Sequence, residues 1–259
     1  MGLITNATGT FFNRALAQMA DLRGQIERTR SQIATGQRIA RGSDDPAAAA
    51  QLRSIARRET LSQAERDKAA RLGQDLASAA SEIAAVTVLF QRARELAVAA
   101  ASTTTGPDGR QAIATELEQL GAELFTRANA TSLSGEPLFA GLASGPAFTR
   151  DGLGNVIYAG TPTSGAVEVA PGTAIERGLP GSAVFAFTLG GSPTSAFAVI
   201  EGLAAALQGG APDPVAAASA ALEGLDAALD TFSRAQTIFG TRQAAFARVS
   251  ELTLFRSLR

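Results

Sequence analysis

The chain has 259 residues, 46% of them apolar, and a net charge of −1. It contains no histidine and no cysteine, which removes Ser-His-Asp and Cys-His nucleophilic sites, almost all zinc chemistry and any disulfide framework. No catalytic residue, metal site or cofactor is expected from such a composition, and carboxylates alone remain for acid–base work. The balance of charge hides an asymmetry: residues 1–60 carry nine arginines against five acidic residues, whereas 61–210 carry nine basic against fourteen acidic. A bias of that size, without interleaved aromatics, reads as solvated helix faces, so nucleic acid is not an expected partner. The sequence has no apolar run long enough to span a membrane, and the start, MGLITNATGTFF, lacks the basic and apolar regions of a conventional signal peptide.

Residues 11–40 read as a first helix, with Leu16, Met19, Leu22, Ile26, Thr29 and Ile33 spaced three and four apart. It ends in the polar stretch RIARGSDDP, where a second helix is expected to begin. Ser43 is a candidate cap, Asp44 and Asp45 place negative charge at the positive end of the helix dipole, and Pro46 fits the first turn. Arg38 completes this candidate structural or assembly motif. The second helix, 46–100, carries the strongest pattern in the chain. Leu72, Leu76, Ala79, Ile83, Val86, Phe90, Ala93 and Ala97 alternate spacings of four and three, a coiled-coil-like seam.

The turn TTTGPDGR follows, and then a third helix at about 111–130 carried by Ile113, Leu117, Leu120 and Leu124. So short a turn implies antiparallel packing. From Ser134 to about 200 the chain is rich in Gly, Pro, Ser and Thr, with the β-type runs Val156-Ile157-Tyr158, Val167-Glu168-Val169 and Val184-Phe185-Ala186-Phe187. Gly152-Leu153-Gly154-Asn155 is a turn rather than a phosphate loop, since no helix pattern follows it. Helix returns near 213, with Leu222, Leu225, Leu229, Phe232, Gln236 and Phe239 continuing the alternation. The expected fold is mainly α: a long antiparallel coiled-coil-like helical rod carrying a small β domain at one end. Its expected parts are a terminal-helix segment (1–42), the first half of the rod (43–133), a β-rich insertion (134–205) and the second half of the rod (206–259).

Several motifs in this order resemble the bacterial flagellin superfamily, and within it the branch that joins hook to filament, of hook-associated protein 3 type. Ile33-Ala34-Thr35-Gly36-Gln37-Arg38-Ile39 followed by Ser43-Asp44-Asp45-Pro46 is similar to the family's signature, with proline where flagellins proper usually carry alanine. Leu89-Phe90-Gln91-Arg92-Ala93-Arg94-Glu95-Leu96-Ala97 resembles the shared part of the long helix. Gly135-Glu136-Pro137-Leu138-Phe139-Ala140-Gly141, Tyr158-Ala159-Gly160 and Pro180-Gly181-Ser182-Ala183-Val184-Phe185 resemble motifs of the junction branch. The resemblance implies a secreted, extracellular structural subunit of the flagellum that assembles through its helical ends. It implies like subunits, a neighbouring hook-associated protein and flagellin as partners, with an export chaperone before secretion. Ile238-Phe239-Gly240-Thr241-Arg242-Gln243 resembles the start of the family's C-terminal helix, which in relatives continues beyond the equivalent of Arg259, so a shortened helix is expected here.

Three other readings stay open at this point. A flagellin of the filament shares the same ends. A coiled-coil scaffold accounts for the seam but leaves the β insertion without a role. An enzyme using paired carboxylates would need Asp44 with Asp45, or Glu116 with Glu118, to converge. Residues one or two apart on a helix do not face each other.

Overall fold

In the computed structural model of the chain, residues 2–39, 42, 43, 45–170 and 172–257 are described, with side chains from 9 to 251 apart from 170. Asp44, one of the expected helix-start residues, lies outside them. The chain divides into two compact units, residues 1–63 and 64–259. Three long helices start alike. Helix α2 (Pro46–Ala101), α3 (Pro107–Ala128) and α6 (Pro214–Ser257) each have proline at their first position, where the missing N–H breaks no helical bond. Asp213 caps α6, its Oδ1 accepting from the amides of Val215 at 3.0 Å and Ala216 at 3.1 Å. Helix α1 (Gly2–Thr35) begins and ends earlier than its sequence periodicity suggests.

Within residues 64–259 the direction of packing follows from polar contacts between helices. Asp226 of α6 meets Arg94 of α2 at 2.6 Å, Gln236 donates to Thr87 Oγ1 at 3.0 Å, and Gln243 donates to the Leu76 carbonyl at 3.2 Å. Numbers rise along α6 as they fall along α2, so the two helices are antiparallel. Arg92 to Glu116 at 2.7 Å and Arg127 to Glu82 at 3.2 Å show the same for α2 and α3. Leu72, Leu76, Ile83, Val86 and Phe90 are buried along this seam. On α6 the buried line is Ala218, Leu225, Ala228, Phe232, Ala235 and Phe239, while Leu222 and Leu229 pack on its flank. Leu225, Phe232 and Phe239 of the expected seam are thus buried, while Ala218, Ala228 and Ala235 complete the line in place of Leu222 and Leu229. Gly73 allows close approach at the end of the seam: a Cβ there would stand 2.5 Å from Phe246 Cε1.

The segment between α3 and α6 forms three two-stranded antiparallel hairpins: β1 (Phe148–Arg150) with β2 (Val156–Tyr158), β3 (Ala166–Ala170) with β4 (Thr173–Glu176), and β5 (Ala186–Leu189) with β6 (Ser192–Ser195). Gly190 and Gly191 turn the last hairpin with φ of 56° and 84°, the pairing a two-residue hairpin loop requires. Two helices also lie here that the β-type runs did not suggest. Val184-Phe185 belongs to the short α4 (Gly181–Phe185), and only Ala186-Phe187 enters a strand. Helix α5 (Ala196–Ala205), capped by Ser195, packs on α3 and α6 and continues into a π-helical turn (Ala206–Gly210).

An aromatic cluster ties this insertion to the helices. The Phe185 ring lies 5.5 Å from Phe139, 5.3 Å from Phe148, 5.7 Å from Phe197 and 5.9 Å from Phe232. Phe232 in turn stacks edge-on against Phe90 of α2 at 4.9 Å. The insertion and the helical seam therefore share one hydrophobic core. Asn129, just past α3, donates through Nδ2 to the Phe148 carbonyl (3.0 Å) and accepts the Phe148 amide on Oδ1 (2.9 Å), standing in for a strand partner.

Candidate functional site

The two units treat their apolar rows in opposite ways. In residues 64–259 the seam is covered, with Leu76, Ile83 and Phe90 fully buried. In residues 1–63 the row is bare: Phe11, Phe12, Leu16, Met19, Leu22, Ile26 and Ile33 of α1 are all exposed, Leu22 at 61% and Ile33 at 78%. Leu52, Ile55 and Leu61 on the first part of α2 are exposed as well. Spacings of three and four from Phe12 to Ile26, with Ile33 two turns further on, keep these residues on one face, so they form an apolar stripe. A contiguous exposed patch of this kind is the usual mark of a surface meant for a partner.

The turn between α1 and α2 is held from both sides. Gln32 donates to the Arg38 carbonyl at 2.9 Å, and Arg38 Nη2 reaches Asp45 Oδ2 at 3.3 Å. The cap of α2 falls on Asp45 and not on Ser43, which is exposed. Asp45 Oδ1 accepts the Ala48 amide at 2.9 Å while its carbonyl accepts the Ala49 amide, also at 2.9 Å. The reason is Pro46: proline at the first helical position leaves the preceding residue to cap. Asp45→Ala is expected to remove ~1 kcal/mol of protection from the first turn of α2. Amide exchange of Ala48 measures it, and unchanged exchange there would contradict the cap.

Three sequence motifs separated by up to fifty residues converge on one spot. The Tyr158 hydroxyl lies 3.0 Å from the Phe139 carbonyl and 2.7 Å from that of Thr161, and the Gly181 amide donates to Phe139 at 2.7 Å. A Cβ at Gly160 would sit 2.6 Å from the Ala140 carbonyl and the Tyr158 hydroxyl. These motifs are thus joints of the insertion rather than reactive groups. The carboxylates considered for catalysis point to other tasks: Glu116 pairs with Arg92, and Glu118 accepts from Gln208 at 2.8 Å.

One carboxylate stands apart. Asp75 of α2 is only 13% exposed at its side chain, and among the described residues it pairs with Arg177 alone, at 3.7 Å. Burial pushes the Asp75 carboxyl above its ordinary value, and Arg177 pulls it partly back. The folded chain therefore holds a proton on Asp75 more tightly than the unfolded chain does. Ionised Asp75 costs stability at neutral pH, and that cost fades as pH falls through the raised value. Asp75→Asn is expected to raise the melting temperature slightly at neutral pH, with the gap narrowing in mild acid. A lower melting temperature at neutral pH would mean that the Arg177 pair outweighs the burial.

Residues 7–144 match the bacterial flagellin N-terminal helical region. The flagellar hook-associated protein 3 of Escherichia coli is 29% identical over 214 residues, covering 78% of this chain and 65% of that protein. The chain thus spans a little under two thirds of the length of this relative. Among solved structures, FlgL of Xanthomonas campestris superposes with a TM-score of 0.70 at 19% identity, covering 78% of this chain and 96% of the other. The flagellar junction protein FlgL of Legionella pneumophila gives 0.67 at 14% identity, covering 76% and 99%. These likenesses carry the fold, and the match over residues 7–144 covers more than half of the sequence. The chain belongs to the bacterial flagellin family.

Proposed function

We propose that the chain is a structural subunit of the bacterial flagellum that joins hook to filament. The observation that carries this is the contrast between the bare stripe on α1 and the buried seam within residues 64–259, in a chain similar to hook-associated protein 3. Whereas the same periodicity is buried along 72–97, the stripe stays open. It is a face kept for neighbouring subunits, and burial on assembly supplies the stability an isolated helix lacks. In this role the 1–42 segment makes the terminal contacts, 43–133 and 206–259 form the helical body, and 134–205 is the inserted part. Arg38, Asp45 and Pro46, with the candidate Ser43 beside them, hold the turn that follows the terminal helix. The seam residues Leu72, Leu76, Ile83, Val86, Phe90, Leu222, Leu225, Leu229 and Phe232 keep that body rigid.

The partners are like subunits, a neighbouring hook-associated protein and flagellin, with an export chaperone beforehand, and the working place is outside the cell. The role needs no catalytic step and no cofactor. Immunogold labelling of flagella with antibody against residues 134–205 tests the reading. A junction subunit gives one short band at the filament base. Label along the whole filament would make the chain a flagellin, and flagella free of label would overturn both.

A further inference from the structure

A cavity of about 250 Å³ opens beside Asp75, walled by the loops at 132–144 and by residues 164–179. Its floor is the Asp75 carboxylate, which among the described residues receives no hydrogen bond and has Arg177 as its one cation, at 3.7 Å. Arg177 is itself in direct contact with Glu136 at the rim. Two carboxylates thus share one guanidinium, and the cavity keeps a net negative charge. Ser144 and Ser164 add hydroxyl acceptors to the wall. At its rim Leu142 stands without cover, 66% exposed. An apolar rim around an under-satisfied carboxylate suits a side chain with a long hydrocarbon stem and a cationic head.

The chain supplies such side chains from one region. Residues 1–63 hold nine arginines against five acidic residues, while 64–259 hold fourteen basic against nineteen acidic. Lys68 is the only lysine, so nearly every cation is a guanidinium, the group that pairs two-pronged with carboxylates. An arginine of the first unit also shares a helix face with exposed apolar residues: Arg23 of α1 lies four residues from Met19 and three from Ile26, both exposed. That combination mirrors the cavity and its rim. Resting on the assembly reading above, we infer that the cavity between Asp75, Leu142 and Arg177 receives an arginine from residues 1–63 of a second copy of this chain. The contact is reciprocal in charge, so it fixes which part of one subunit lies against the next and disfavours a copy placed in another register.

Because the chain has no cysteine, Leu142→Cys introduces a single thiol on the cavity rim. This variant, labelled with a benzophenone maleimide and assembled into flagella, is photolysed and its cross-links are mapped by mass spectrometry. The expected result is cross-links from position 142 to residues 1–63 of a second copy. Adding Asp75→Asn is expected to reduce their yield roughly tenfold while the variant still melts as a folded chain. Cross-links only to flagellin or another protein, cross-links confined to residues 64–259, or a yield indifferent to Asp75→Asn would overturn the inference and leave the assembly reading standing. Absence of even the unaltered chain from flagella would overturn that reading and this inference together.

Discussion

Phe232→Ala is expected to destabilise residues 64–259 by about 3–5 kcal/mol, the cost of removing a buried aromatic ring and leaving its space unfilled. The site gives little room to collapse. Phe232 is fully buried, its ring 4.9 Å from Phe90 of α2 and 5.9 Å from Phe185 of the insertion. One ring therefore joins both long helices to the insertion, and its loss loosens three elements at once. Denaturant unfolding followed by circular dichroism reads the change. Val88→Ala, on an exposed face of α2, serves as control and should stay within about 0.5 kcal/mol of the parent. Equal effects at the two positions would mean that the aromatic cluster does not unite the insertion with the helices.

The opposite pattern is expected on α1. Replacing Leu22 and Ile26 by serine should leave the unfolding of residues 64–259 unchanged, because both side chains are exposed in the single chain. Assembly should suffer heavily. Each side chain buried at an interface contributes about 1.5–3 kcal/mol, so losing two corresponds to roughly a hundredfold or more in association. Flagella isolated from cells carrying only this variant would hold little or none of it, while the purified monomer melts as before. Normal incorporation of the double variant would show that the stripe is not the assembly face.

What the sequence made legible was local. The start of α2 follows from Pro46, whose fixed φ suits a first turn, whereas α3 starts at Pro107, inside the stretch that reads as a turn. The seam of α2 follows from side-chain period alone. Even the error over the cap was local: three capping-type residues stand in a row at 43–45, and Pro46 selects the last of them. The features that escaped are those decided by distant residues. The stretch AFAVIEGLAA is apolar enough to pass for a buried strand, and it is the packing of α5 on α3 and α6 that makes it a helix. The Phe139, Phe148, Phe185, Phe197 and Phe232 cluster draws on five separate segments, and no window of sequence contains it. The same holds for Asp75, whose neighbours Glu136 and Arg177 lie far along the chain.

The central claim is that one apolar row in this chain is satisfied internally and the other is reserved for neighbours. Amide hydrogen exchange on the purified monomer and on isolated flagella tests it most directly. In the monomer, residues 11–35 should exchange orders of magnitude faster than 72–97, since an unpacked helix opens readily while the seam opens only with the whole fold. In flagella, 11–35 should slow towards the seam's rate. Protection of 11–35 in the monomer equal to that of 72–97, or no gain on assembly, would contradict the account.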